Sequence, residues 1–305
     1  MIDRLIERID ACGAPVVVGL DPVCSMVPER LITEAVETHG RGLAAAAHML
    51  AAFSREIIDA VSDLTPAVKP QIAMYERFGP EGLAAYAETA AYARSKGLLV
   101  IGDVKRGDIS STAEAYAAHI GGAEFAGELF DPWHEDAVTL NPYLGVDGIR
   151  PFLDVCEKAG KGIFVLVKTS NPSGAELQDL VLERGGPVYE HVAGLVSRWG
   201  EPCMGARGYS RVGAVVGATF AEQGRRLRKL MPHTFFLVPG YGAQGASGRD
   251  LRGFFDADGR GCVVNSSRGI TAAWQKGGRF GGNDVGAAAR EALEAMRKDL
   301  KEALA

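Results

Sequence analysis

Several features are scarce in this chain. Its 305 residues include only five cysteines, Cys12, Cys24, Cys156, Cys203 and Cys262, with no C-x-x-C pair. An odd number at these spacings argues against a disulfide scaffold or a thiolate zinc site and fits a reducing compartment. Cys12, Cys156 and Cys262 sit in or beside apolar stretches and read as core filler. Six histidines (His39, His48, His119, His134, His191, His233) show no H-x-x-x-H spacing, so a histidine metal site is not expected. No G-x-S-x-G nucleophile elbow occurs. Positive charge is not in excess: 33 basic against 38 acidic residues leave a net charge of −5. That excludes the broad basic footprint of a nucleic-acid binder but not a local anion site. No apolar run approaches the roughly 20 residues a bilayer span needs. The first ten residues mix charges with apolar positions and read as an amphipathic helix, not a signal peptide. A soluble, cytoplasmic protein that binds neither nucleic acid nor membrane is expected.

What is present is core-forming material. Hydrophobic residues are 47% and charged residues 23%, enough apolar surface to exclude general disorder. The 39 glycines follow no collagen period and so serve turns and close approaches. Eight short β-rich runs recur, at 16–21, 67–73, 98–105, 136–143, 162–170, 212–219, 235–242 and 262–269. Their nearly continuous apolar interiors (VVVGL, LLVIG, IFVLV, VGAVV, FFLV) suit strands buried on both faces of a parallel sheet. Helical spacing fills the gaps, at 41–62, 81–96, 111–119, 147–158, 188–199, 220–230 and 284–305. Gly97 stands where a helix-ending glycine belongs. Strands alternating with helices predict βα units, and eight units close naturally into a single-domain (β/α)8 TIM barrel spanning 1–305. A doubly wound open sheet is the alternative. Loop insertions are expected near 120–135 and 171–211, with a glycine-rich stretch at 275–283.

In such a barrel the chemistry sits at the C-terminal ends of the strands. Those ends carry Asp21, Lys69, Asp103-Val-Lys105-Arg-Gly-Asp108, Asn141, Lys168-Thr-Ser170, Thr219 and Asn265-Ser-Ser-Arg268. Asp103 and Lys105 are two apart, so a strand points both to one face. Four charges sharing one small volume is costly unless they pair. Structural ion pairs at the rim are the bland alternative. Asp108 and Thr112 are spaced to share a face at the start of the next helix, where Ser111-Thr-Ala-Glu114 is a plausible capping box. Gly240-Tyr-Gly242-Ala-Gln244-Gly245 matches a dinucleotide fingerprint but lies too near the C-terminus for a full Rossmann half-domain. The loops after strands seven and eight of a barrel form phosphate sites instead, with Gly242, Gln244 and Arg268 as candidates.

Taken together, Gly19-Leu-Asp21-Pro, Val68-Lys69-Pro-Gln, Asp103-Val-Lys105-Arg-Gly-Asp108-Ile, Lys168-Thr-Ser170-Asn-Pro, Pro239-Gly-Tyr-Gly-Ala-Gln244-Gly and Ser267-Arg268-Gly-Ile resemble orotidine 5′-phosphate decarboxylases, the longer bacterial branch best. The shorter branch carries a lysine-phenylalanine-histidine-aspartate run where this chain has Lys105-Arg106-Gly107-Asp108. The resemblance implies a homodimeric barrel converting orotidine monophosphate to uridine monophosphate and CO2 in pyrimidine biosynthesis, with no cofactor and no metal. It implies that Lys105 stabilises charge at C6 of the pyrimidine and delivers the proton, that Asp103 sits beside the departing carboxylate, and that Lys69 and Asp21 hold the ribose. It further implies that Asp108, with Thr112 beside it, crosses the dimer interface. Ser170 would read the pyrimidine edge, and Gln244 and Arg268 would grip the phosphate. Two rivals remain at this point: a Mg²⁺-dependent sugar-phosphate decarboxylase or aldolase on the same scaffold, and a nucleotide sensor without turnover.

Overall fold

The eight apolar runs form eight strands. A computed structural model describes residues 1–183, 185–242, 245–277 and 279–305. Its barrel strands are β1 (Val16–Leu20), β2 (Ala67–Pro70), β3 (Leu99–Arg106), β4 (Ala137–Leu140), β5 (Gly162–Lys168), β6 (Ser210–Val216), β7 (Thr234–Pro239) and β8 (Cys262–Ser266). Each pairs in parallel with its sequence neighbours and β8 pairs with β1, so the sheet closes. This is the single-domain (β/α)8 barrel, and closure rules out the open sheet. Seven of the observed strands stop earlier than their β-rich runs, because the residues at their ends turn into the loops at the barrel mouth, whereas β3 runs one residue further, to Arg106.

Period-two alternation sorts the strand residues into two layers. Val17, Ala67, Leu99, Ile101, Phe164, Leu237 and Val263 form one cluster with Ile2, Leu5 and Ile6 of the N-terminal helix Ile2–Cys12. That helix lies across the N-terminal end of the barrel: the Met1 amino group donates to Gly160 O at 2.5 Å and Arg8 Nε to Pro66 O at 3.1 Å. The alternate residues, among them Val16, Val18, Val68, Val100, Val138 and Val264, join the apolar faces of the surrounding helices. Each such fully buried side chain contributes about 1.5–3 kcal/mol. Floor and walls are thus apolar, and polar chemistry is confined to the other end.

The expected helices are present at Leu43–Val61, Gly79–Ser95, Ser110–Gly121, Arg150–Ala159, Val188–Gly200, Ala221–Leu230 and Val285–Leu304. Gly97 takes a left-handed φ of 78° and donates its N–H to Arg94 O, closing the second. Three local features depart from the sequence reading. The expected capping box at Ser111 does not form: the helix begins at Ser110, and its N-cap, Ile109, has no side-chain cap bond. Ser111 therefore lies inside the first turn, and Asp108 Oδ1 takes the Ile109 N–H instead. A helix at Glu29–His39 carries no strong sequence signal, because only Leu31 and Ala35 of its 11 residues are buried. The 120–135 connection holds an antiparallel hairpin, Ala123–Phe125 with Glu128–Phe130, turning at Ala126-Gly127 with φ of 53° and 83°. Its strands are too short to show a period. Of the cysteines, Cys156 and Cys262 are buried as expected, Cys203 joins them, and Cys12 is only half-buried. No described helix is long and apolar enough to cross a membrane.

Candidate active site

The C-terminal end of β3 places one carboxylate at the centre of a charged array. Asp103 Oδ1 accepts from Lys105 Nζ at 2.6 Å, and Oδ2 accepts from Lys69 Nζ at 2.7 Å. Two neutral donors complete it: Thr139 Oγ1 to Oδ1 at 2.9 Å and Gln71 Nε2 to Oδ2 at 2.9 Å. Thr139 also accepts the Lys105 backbone N–H at 3.0 Å. Asp21 Oδ1 stands 3.7 Å from Lys69 Nζ. The ion pairs at the rim form one network, because Asp103 and Asp21 share Lys69 and Asp103 also binds Lys105.

Lys105 does not reach this place by regular strand geometry. Its φ is 45°, a left-handed conformation that L-residues rarely adopt, and the β3–β4 pairing is irregular between Gly102 and Arg106. Such backbone costs on the order of 1–3 kcal/mol and persists only where surrounding contacts hold it. Here the Thr139 hydroxyl and the Asp103 carboxylate do so.

Burial would by itself push the Asp103 carboxyl up, but the Lys69 and Lys105 ammonium groups outweigh it and hold it well below the usual carboxylate range. Burial likewise would lower Lys69, but Asp103 and Asp21 raise it above the ordinary lysine value. Both groups are therefore charged at neutral pH. The Lys69 and Asp103 side chains are 5% and 9% exposed, whereas that of Lys105 is 46% exposed. Lys105 is thus the member of the array free to meet a ligand.

Two contiguous cavities open on this array. One, of about 330 Å³, runs from Lys69, Asp103, Lys105 and Thr139 to Thr169, Ser170 and Asn171, with Leu166, Val215, Leu237 and Pro239 as its apolar wall. The second, of about 190 Å³, shares Lys69, Asp103 and Pro239 and is completed by Asp21, Gly240, Tyr241, Asn265, Ser267 and Arg268. A cavity with one apolar wall beside a polar chamber suits a ligand with an apolar ring and a hydroxylated, charged tail.

The remaining candidates divide. Ser170 lines the larger cavity, and its backbone is held by Thr219 Oγ1 donating to Ser170 O at 3.2 Å. Gly217 passes so close that a Cβ there would lie 2.8 Å from the Ser170 backbone, so any side chain would displace it. Arg268 faces the smaller cavity and, with Gly242, a further cleft of about 590 Å³. Its guanidinium has no hydrogen-bond partner among the described residues. The Gly242 N–H is already given to Ala246 O at 2.9 Å. Gln244 lies outside the described residues. Asp108 and Thr112 line neither cavity; Asp108 is half-buried and Thr112 exposed. Two strand-end residues stand outside the array. Asn141 accepts from the Tyr143 N–H at 3.0 Å, away from the array. Lys168 is fully buried, 2.6 Å from Asp179 and over the rings of Tyr189 and Phe220. Sequence reading assigned no role to Thr139, Gln71 or Asn265. The polar Thr139 inside an apolar strand was the signal for the first.

Fold and site together define a barrel enzyme with a lysine–aspartate–lysine array at its mouth. The chain belongs to the Orotidine 5′-phosphate decarboxylase / HUMPS family, which matches residues 14–277. A Rhodopirellula baltica protein named orotidine 5′-phosphate decarboxylase is 49% identical over 265 residues, covering 87% of this chain and 85% of its own. A Clostridium kluyveri protein of the same name is 41% identical, covering 98% and 97%. Among solved structures, a Leishmania donovani OMP decarboxylase superposes with a TM-score of 0.75 at 30% identity, covering 99% and 98% of the two chains. A Leishmania donovani UMP synthase gives 0.76 at 31%, with 99% of this chain on 56% of that one.

Proposed function

We propose that this chain decarboxylates orotidine 5′-monophosphate to uridine 5′-monophosphate and CO2, a step of pyrimidine biosynthesis, with Lys105 as the residue that carries the chemistry. The observation behind this reading is the Asp103 carboxylate gripped by two ammonium groups, one sealed away and one open to the cavity. Breaking the C6–CO2 bond leaves the electron pair on a ring carbon with nowhere to spread. A fixed cation in a poorly hydrated cavity is the strongest available stabiliser of such a charge. Lys105 Nζ supplies it, then passes a proton to C6, and CO2 departs; the amine regains a proton from solvent. Asp103 holds Lys105 in place and faces the substrate carboxylate, a repulsion that adds a secondary contribution.

Ser170 reads the pyrimidine edge, Lys69 and Asp21 hold the ribose, and Gln244 and Arg268 take the phosphate, while Gly242, its N–H spent on Ala246 O, only lines the cleft beside Arg268. No metal or organic cofactor is assigned. All four donors around Asp103 are spent on its two oxygens, so that carboxylate has little left to offer a cation. Asp108 and Thr112 act across a homodimer interface; they stand outside their own cavities, beside the exposed Ile109. The unpaired cysteines fit the cytoplasm. The Mg²⁺-dependent sugar-phosphate rival is disfavoured because the curated relatives above are decarboxylases of the orotidine type. A CO2-release assay with orotidine monophosphate, with and without chelator, tests the reading. Full turnover in chelator is expected. Turnover abolished by chelator would favour the metal enzyme, and binding without CO2 release would favour the sensor.

A further inference from the structure

Stability alone gives no reason for a sealed lysine at the end of β5. An ion pair taken out of water recovers little of what desolvation costs, and apolar residues of like volume often serve as well. Lys168 is nonetheless fully buried. Its Nζ donates to Asp179 Oδ1 at 2.6 Å and stands 4.5 Å from the Phe220 ring centroid and 5.4 Å from that of Tyr189. The backbone is bent to put it there. Leu166 lines the larger cavity, so regular alternation would aim Lys168 to the same side. The β5–β6 pairing shifts register between Leu166 and Lys168, and an irregularity of this kind re-aims a side chain. Lys168 is thereby set against Tyr189 and Phe220, at the starts of the helices Val188–Gly200 and Ala221–Leu230.

The next residue is tied to the same segment. Gln178 Oε1 accepts the Thr169 N–H at 3.0 Å, and Gln178 Nε2 donates to Thr169 Oγ1 at 2.7 Å. Thr169 Oγ1 gives its own hydrogen to Asn171 Oδ1 at 2.6 Å. Two consecutive strand-end residues thus grip two consecutive residues of the returning loop: Lys168 holds Asp179, and Thr169 holds Gln178. Ser170 lies between these clasps, at the larger cavity, with Thr219 holding its carbonyl from the other side. Lys168, Gln178 and Asp179 do not line that cavity themselves. We propose that these three are positioning residues, a latch across the β5 loop that fixes Ser170 in the orientation in which it meets the pyrimidine edge. The latch sets affinity for the base without touching it. This inference rests on the role given to Ser170 above and adds what holds it. A contact built before the ligand arrives does not have to be ordered on binding, and affinity rises by that saving.

The test is a double-mutant cycle on binding of UMP and of ribose 5-phosphate, read by calorimetry. Gln178→Ala, and Lys168→Met together with Asp179→Leu, are each made in the wild type and in Ser170→Ala. Each latch variant is expected to weaken UMP by about tenfold, the worth of one hydrogen bond, and to leave ribose 5-phosphate, which has no base, unchanged. In Ser170→Ala the same changes should cost less than about twofold more, because the side chain they position is gone. The Lys168→Met, Asp179→Leu protein should melt within a few degrees of wild type, since no charge is left stranded. If it does not fold, Gln178→Ala, at a half-buried position, carries the test alone. A merely structural latch would lower the melting temperature and weaken both ligands alike, equally in both backgrounds. That outcome, or unchanged UMP affinity in the latch variants, overturns the proposal. The cycle reads binding alone. Its failure in a protein that releases CO2 from orotidine monophosphate removes the latch and leaves the decarboxylase reading standing, whereas failure of that reading shows as no CO2 release whatever the cycle gives.

Discussion

Replacing Asp103 by asparagine removes one negative charge from between two positive ones. The two ion pairs it dissolves span 2.7 Å to Lys69 and 2.6 Å to Lys105. At an effective dielectric of about 20, a pair at such a distance attracts by roughly 6 kcal/mol before any desolvation is counted. The net cost is smaller and unequal between the two lysines. Lys105 is nearly half exposed, so water replaces much of what it loses. Lys69 is sealed in, and its other counter-ion, Asp21, is 3.7 Å away. Stranding a buried charge typically costs about 3–5 kcal/mol, and the residual pairing with Asp21 puts Asp103→Asn near the lower end, about 3 kcal/mol. Urea unfolding with an unchanged slope measures it. Adding Lys69→Met should return about 2 kcal/mol, because the stranded charge leaves with it. The pH dependence follows from the signs. Asp103 is depressed, so its contribution is full above the ordinary carboxylate pKa and fades only as pH falls through its lower folded value. Lys69 is raised, so its contribution is full below the ordinary lysine pKa and fades as pH rises through its higher folded value. The stability gap between wild type and Asp103→Asn should therefore be flat from about pH 5 to 9. A loss under 1 kcal/mol, or no recovery on adding Lys69→Met, would show that the array is not held together by charge.

Other expectations are simpler. Lys105→Ala should lower turnover of orotidine monophosphate by about a thousandfold or more while the protein melts within a few degrees of wild type, since the side chain is half in solvent; an active variant removes Lys105 from the mechanism. Arg268→Ala should weaken UMP binding about tenfold to a hundredfold, as loss of a charged hydrogen bond does, and leave uridine unaffected; equal weakening of both in calorimetry refutes a phosphate contact. Gly224→Ala sets two effects against each other. Helix propensity favours alanine by about 1 kcal/mol, but the new methyl would lie 2.1 Å from the buried Phe254 ring. Overpacking should win by about 1–3 kcal/mol, and a variant that unfolds at the same or higher denaturant midpoint contradicts that packing.

How much of the fold and site was legible in the chain is clear residue by residue. The strands were legible because their apolar runs are nearly continuous, and the charged residues at their ends stood out against that background. Lys168 shows the limit: it ends an apolar strand as Lys69 does, yet its ammonium pairs with Asp179 and takes no part in the Asp103 array. Nothing local distinguishes the two. The Glu29–His39 helix escaped for a related reason, since an element that buries two residues leaves little periodicity.

The sequence by itself determined the alternation of eight strands and helices, hence the barrel, and the candidates at its mouth, because periodicity and strand-end chemistry are properties of neighbouring residues. Tertiary structure decided which of those candidates meet. Thr139 and Gln71 reach Asp103 across more than 30 positions of chain. The left-handed turn at Lys105 exists only because closing the barrel brings separate strands to one point. Distance along the chain carries no information about such meetings; packing of the closed sheet creates them.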